Sequence, residues 1–264
     1  FYAPGNFDPN AKLPANRYIG ICMRFFNIKG FSISDMTIEN PVTYGMDLAF
    51  VEDFTIEHIT FDYFEGSPKL WNMDGVHIEG GCKNGFIHDL HGACHDDTVA
   101  LTADDIYNGD IENITIDGIY GTHSHSAVRL LSKTHWVKNI HITNVYGTYY
   151  AYGVIVSKYS GPKSCRGLFS NIAIDHFYAS LCEGTADVKG NNCALIHFGR
   201  EIDVDRVCIA QLFRDETHLP LPTICVSAGC RIGCLSLSDC FQSNASGAPM
   251  ELLENHGTID QLIK

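Results

Sequence analysis

A four-residue unit recurs along the whole chain: an apolar residue, two mostly polar residues drawn largely from Asp, Asn and His, and a second apolar residue. It occurs at Ile33–Met36, Ile56–Ile59, Ile87–Leu90, Ile116–Ile119, Ile142–Val145, Ile174–Phe177, Val204–Val207, Leu237–Cys240 and Ile259–Leu262, with first positions about 28 residues apart on average. Periods of this size mark architectures in which each repeat buries its apolar face only by stacking on the next. Helical periodicity is nearly absent, and short Ile/Val/Leu/Phe runs alternate with Asn, Asp and Gly, so the unit is a coil of strands and turns. The sequence therefore predicts an all-β fold, a single-stranded right-handed parallel β-helix of about nine coils. With strands about 4.8 Å apart, such a rod is about 40 Å long. Leucine-rich repeats have a similar period, but the LxxLxLxxN pattern is missing; a β-propeller needs longer units and antiparallel hairpins.

Length and composition agree with one large domain over residues 1–264: 264 residues, 45% hydrophobic and 19% charged. Phe1 begins without an initiator Met or a leader pattern, and His256–Lys264 stops within a coil, so a longer native chain is expected. Eighteen basic against thirty-one acidic residues give a net charge of -13. Phosphate backbones require a basic surface, so nucleic acid is excluded as a partner. No stretch reaches the roughly 20 apolar residues of a membrane helix. Eleven cysteines, an odd number without tight CxxC spacing, are expected to be buried, reduced core thiols.

Three consecutive coils carry polar insertions where the repeat calls for simple turns. They read Trp71-Asn72-Met73-Asp74-Gly75-Val76-His77-Ile78, then His95-Asp96-Asp97-Thr98-Val99-Ala100-Leu101, then Gly121-Thr122-His123-Ser124-His125-Ser126-Ala127-Val128-Arg129-Leu130. Strand alternation makes Val76/Ile78, Val99/Leu101 and Val128/Leu130 inward pairs, which brings the acids together at the mouths of adjacent strands. With Val76, Val99, Val128 and Val154 aligned, the outward residues His77, Ala100, Arg129 and Ile155 form one column on the cleft face.

These motifs resemble the polygalacturonase-like family of glycoside hydrolases, within the pectin-lyase-like β-helix superfamily. The family signature runs Asn-Thr-Asp-Gly, Asp-Asp, Gly-His-Gly and Arg-Ile-Lys on successive coils. Asn72-Met73-Asp74-Gly75 matches the first apart from Met73, Ser67-Pro68 fits the lead-in, and Asp96-Asp97 matches the second. Ser124-His125-Ser126 stands for the third, with His123 a rival, and Gly153–Lys158 for the fourth, with Ile155 in place of the Arg and the Lys displaced by one position. The resemblance implies hydrolysis with inversion: one carboxylic acid protonates the leaving oxygen while other carboxylates activate water on the opposite face of the sugar. It assigns Asp96 as general acid and Asp74 and Asp97 as the water-positioning pair, with His125 completing the catalytic set. Asn72, His77, His123, Lys158 and Tyr152 are then substrate-binding candidates. Arg129, the only Arg of the cleft column, is a candidate grip in a shifted geometry, and Tyr149, Tyr150 and Tyr152 are candidate stacking platforms for sugar rings.

The expected partner is a poly- or oligosaccharide, and hydrolysis of this kind needs no metal and no cofactor. Loss of the family Arg at Ile155, with the acidic surface, weighs against galacturonan as substrate. Two other readings use the same residues. A polysaccharide lyase would hold Ca²⁺ on Asp74, Asp96 and Asp97 and remove a proton with an Arg or Lys. A non-catalytic glycan-binding or receptor-binding rod would show more uniform coils and no clustered acids. A polymer substrate points to a secreted or periplasmic protein, whereas the odd number of cysteines points to the cytoplasm. The sequence assigns no oligomeric state.

Overall fold

The computed structural model describes residues 20–64, 72–158, 162, 164–184 and 193–264. Trp71 and the Ser67-Pro68 lead-in lie outside them. Among the described residues there are sixteen strands and no α-helix, hence no helix long and apolar enough to cross a membrane. They are β1 (Met23–Phe26), β2 (Lys29–Glu39), β3 (Met46–Ala49), β4 (Glu52–Asp62), β5 (Val76–Glu79), β6 (Lys83–Ala93), β7 (Asp97–Thr102) and β8 (Ile111–Ser132). There follow β9 (Trp136–Lys158), β10 (Gly167–Leu181), β11 (Ile196–Phe198), β12 (Ile202–Glu216), β13 (Ile224–Val226), β14 (Arg231–Asn244), β15 (Leu253–Asn255) and β16 (Thr258–Ile263).

All of them pair in parallel, each with the strand one coil away, so the chain is a parallel β-solenoid. One ladder runs β2-β4-β6-β8-β9-β10-β12-β14-β16, and the other runs β1-β3-β5-β7 and then through the second halves of β8 and β9 to β11, β13 and β15. Between the incomplete coils at either end the winding makes about seven full turns, close to the nine that the repeat predicts.

The repeat has a physical origin in the corners of the coil. Ile56 points inward, Glu57 outward, His58 takes φ 54 and turns the chain, and Ile59 points inward on the next face. Asp35, Asp89, Asn144 and Asp239 hold the same left-handed corner with φ between 51 and 56, a conformation that Asn and Asp tolerate better than most residues. A second corner is made by Asp53, Asn84, Asn113, Asn139 and Asn171. Here the side chains form a ladder: each Asn Nδ2 donates to the Oδ1 of the residue below, at 2.9, 2.9, 2.9 and 3.1 Å. The buried file Ile56, Ile87, Ile116, Ile142, Ile174 and Ile209 runs through the core beside it.

Both corners show the same apolar-polar-polar-apolar pattern, and this misleads the sequence reading in two coils. Ile174 pairs with Ile209, not with Val204, and Ile259 pairs with Ile232, not with Leu237. Val204–Val207, which stacks on Phe169–Ile172, and Ile259–Leu262 are therefore second-corner units read as first-corner ones, with the phase displaced by one corner.

Outside the coil, His91, Tyr120, Tyr146, Tyr178, Phe213 and Phe241 stack ring on ring, with centroids 4.6, 5.3, 5.1, 5.1 and 5.3 Å apart. The eleven cysteines are all free, and Cys82, Cys94, Cys225 and Cys230 are buried as expected. Cys22 and Cys208, by contrast, are exposed.

One buried carboxylate fixes the turn between β8 and β9. Asp104 Oδ2 accepts the backbone N–H groups of Lys133, Thr134 and His135 at 2.6, 2.8 and 3.1 Å, and Oδ1 meets Thr134 Oγ1 and His135 Nδ1. Burial alone would raise the carboxyl, but the His135 ring and these amides hold it well below its ordinary value. A depressed carboxylate stabilises the fold above its unfolded pKa of about 3.9 and loses that contribution as pH falls through the folded value. Asp104→Ala is expected to cost about 2 kcal/mol at pH 7 in urea denaturation. The gap to the wild type should shrink as the pH drops below about 4.

Candidate active site

The three motif segments meet because their backbones continue the ladder beyond the strands proper. Gly75 N donates to Asp97 O at 2.9 Å and Asp96 N to Met73 O at 3.3 Å. The glycine of the Asp-Gly pair is required by this approach: a Cβ on Gly75 would lie 2.6 Å from Thr98 O and 2.7 Å from the Phe61 ring. Asp97, Ser126 and Tyr152 share one register position on successive rungs, with Asp74 one rung before them. The outward column His77, Ala100, Arg129, Ile155 forms in the expected register, and it extends to Asp47 and Arg24 on one side and His197 on the other.

Around these rungs lies a cleft of about 390 Å³. Asn72, Asp74, His77, Asp96, Asp97, His125, Arg129 and Tyr152 all line it. His123 and Lys158 do not. His123 sits at φ 55 in a bulge where β8 and β9 slip register, and its ring is exposed. Lys158 lies at the far end of β9, paired with Glu201 at 2.6 Å and with Pro162 O at 3.0 Å.

Each acid has a distinct environment. Asp74 is 2% exposed; its Oδ2 takes the Nδ1 of His77 at 2.6 Å, while Oδ1 has no hydrogen-bond partner among the described residues. Burial, then the charge of Asp96, pushes its pKa up to about 8 against the pull of His77. Asp96 Oδ2 accepts the Asn72 N–H at 2.7 Å, and Oδ1 lies 3.6 Å from His125 Nδ1. Burial and the neighbouring Asp97 raise Asp96 above the ordinary carboxylate range. Asp97 is held by hydroxyls instead: Ser126 Oγ and Tyr152 Oη, the latter at 2.9 Å, both donate to Oδ1. Arg129 Nη1 lies 3.7 Å from Asp97 Oδ2. Burial opposes the Arg129 charge, but Tyr152 and the three acids more than offset it, so the guanidinium stays protonated.

The tyrosines are not platforms. Tyr149 is fully buried and donates to Tyr146 O at 3.0 Å, and Tyr150 is 3% exposed. β9 carries one more residue than β8 between the pairs Ser124–Tyr149 and Ser126–Tyr152. This bulge turns the faces that simple alternation assigns, and Tyr152 becomes a hydrogen-bond donor to a catalytic candidate.

The cleft also holds residues outside the motifs. Thr102 and Asp105 line it, and Tyr44 stacks on His77 with centroids 3.8 Å apart and planes 7° from parallel. Asp47 and Glu79 are buried beside them. Asp47 had a readable signal, since Gly45-Met46-Asp47-Leu48 repeats Gly75-Val76-His77-Ile78 one coil earlier.

Neither the family models nor the curated proteins give a match. Among solved structures the chain is similar to that of the Yersinia enterocolitica family 28 exopolygalacturonase. That likeness has a TM-score of 0.39 and 8% identity over 87% of this chain and 44% of that one. The chain thus spans less than half the length of that protein.

Proposed function

We propose that the chain is a glycoside hydrolase of the polygalacturonase-like kind, cleaving a poly- or oligosaccharide with inversion of configuration. The observation that carries this reading is the meeting of Asp74, Asp96 and Asp97 in one cleft in three different environments. Asp96, raised above the ordinary carboxylate range by burial and by Asp97, is the carboxyl assigned to protonate the leaving oxygen. Asp97, fixed by two hydroxyl donors and faced by Arg129, and Asp74, with one buried oxygen left unbonded, hold the attacking water. Burial and the charge of Asp96 raise Asp74 to about 8, so the cleft contains a carboxyl that titrates near neutral pH.

Substrate charge follows from the basic groups. Arg129 faces Asp97, Lys158 is turned away to Glu201, and Ile155 is apolar, so a uronate carboxylate meets a cleft rich in acid. A glycan of neutral sugars fits that field better. The same facts weigh against a lyase, since Arg129 is held protonated and is a poor base.

A panel of neutral and uronic glycans, followed by reducing-end release and near-ultraviolet absorbance together, tests the reading. Reducing ends without absorbance, from a neutral glycan, are the expected result. Absorbance growth would instead mark a lyase, and binding without turnover on every member a non-catalytic rod.

A further inference from the structure

On the side of His77 away from Asp74 lies a second cluster that the hydrolase reading does not use. We infer that His77, Glu79 and Asp105 form a binding site for a divalent cation of the Zn²⁺ or Mn²⁺ kind, open to the cleft. The inference goes beyond the proposed activity and does not rest on it. It departs from the metal-free expectation of the sequence.

His77 Nε2 lies 3.7 Å from Glu79 Oε1 and 3.6 Å from Asp105 Oδ2. Two donors about 2.1 Å from one ion, at a near-tetrahedral angle, stand nearly that far apart. The ligand atoms of the three residues all fall within 4.8 Å of one another. Clustered acids alone are common without a metal, but Glu79 adds a separate fact. Its Oε2 is anchored by the backbone N–H groups of Ile106 and Tyr107 at 3.0 and 3.1 Å, while Oε1, fully buried, finds no hydrogen-bond donor among the described residues. A buried carboxylate oxygen turned towards an imidazole nitrogen and bonded to nothing is costly unless a cation or proton meets it. Asp47, next to His77 in the column, likewise leaves Oδ1 without a partner at 0% exposure.

The far side of the imidazole is already arranged for a ligand role. Nδ1 faces Asp74 Oδ2 at 2.6 Å, the carboxylate–histidine pairing that orients metal-binding histidines and leaves Nε2 free to coordinate. Tyr44 stacks flat on the ring and fixes its plane. Thr102 Oγ1, 3.0 Å from Nε2, also bonds Ile78 O at 3.2 Å, so its hydroxyl has an alternative acceptor when Nε2 binds an ion. One nitrogen with carboxylate oxygens favours Zn²⁺ or Mn²⁺ over Ca²⁺, which prefers six or more oxygens.

Free thiols also capture Zn²⁺, so Mn²⁺ is the first probe. EDTA-treated, desalted protein is titrated with MnCl2, the free ion being followed by electron paramagnetic resonance, and then with ZnCl2 by calorimetry. The expected result is one Mn²⁺ per chain, with Glu79→Gln and Asp105→Asn each weakening both ions at least tenfold. At 100 times Kd the ion should raise Tm by about 5 °C or more. Circular dichroism of the variants reports whether they fold, and the wild-type titration stands without them. Failure of the wild type to bind Mn²⁺ or Zn²⁺ at millimolar concentration overturns the inference. So does unchanged binding in both folded variants, which would place the ion elsewhere. Glycan turnover enters neither outcome.

Discussion

Asp96→Asn is expected to lower kcat for glycan cleavage about 10³-fold while leaving the solenoid intact. The amide keeps the hydrogen bond from Asn72 N, at 2.7 Å in the wild type, so the loop geometry is retained. What is lost is the carboxyl group that burial and Asp97 raise above the ordinary carboxylate range. A substrate with a strongly acidic leaving group, such as a dinitrophenyl glycoside, needs no proton donor and should be cleaved by the variant at close to the wild-type rate. Asp97→Asn should lack that selectivity and be slow on both substrates, because its role is to hold water. Equal losses for Asp96→Asn on both substrates would remove it as general acid. Wild-type activity should fall as the pH rises through about 8, where Asp74, raised by burial and by the charge of Asp96, gives up its proton. Relief of like-charge crowding should also make Asp96→Asn more resistant to urea than the wild type, the usual trade between a strained site and stability.

Arg214→Ala is expected to destabilise the protein by about 3–5 kcal/mol, more than any surface substitution. Arg214 is 1% exposed and Glu216 1% exposed, and Glu216 Oε2 accepts from Arg214 Nε at 2.9 Å and Nη2 at 2.5 Å. The guanidinium also reaches Leu221 O and Thr223 Oγ1, both at 2.9 Å, and so ties the segment after β12 back to the coil. Removing the cation strands a buried carboxylate that still faces the N–H groups of Thr217 and His218 at 3.1 and 2.8 Å. Glu216→Gln keeps part of those bonds and should cost less. In a double-mutant cycle the losses should fall short of additive, because either change alone leaves the other charge without its partner. Additive losses in urea denaturation would show that the pair is not coupled.

The sequence makes the solenoid legible because its corners demand left-handed residues at regular intervals, and only a few residue types accept them. It is ambiguous about phase because both corners write the same four-letter pattern, as Val204 and Ile259 show. Asp74, Asp96, Asp97 and His125 could be brought together from motif and phase alone, since parallel register carries a position on one rung to the next. Glu79 and Asp105 were hidden for different reasons. Glu79 reads as the polar end of an ordinary strand, and Asp105 belongs to the segment between β7 and β8, where no periodicity places it. The tyrosine platforms failed because an inserted residue in β9 reverses inside and outside over a few positions, and alternation alone gives no sign of it.

The external column of rings has a spectroscopic consequence. Tyr120, Tyr146 and Tyr178 lie parallel within 6° at 5.1–5.3 Å, close enough for their electronic transitions to couple. Each belongs to a different rung, so the coupling exists only while neighbouring coils keep their register. Near-ultraviolet circular dichroism from these rings therefore reads the stacking of the central coils, as such signals report fixed tertiary packing. A slip of one residue between β8, β9 and β10 would erase that band while leaving the far-ultraviolet strand signal in place. The protein thus carries a native optical gauge of its winding.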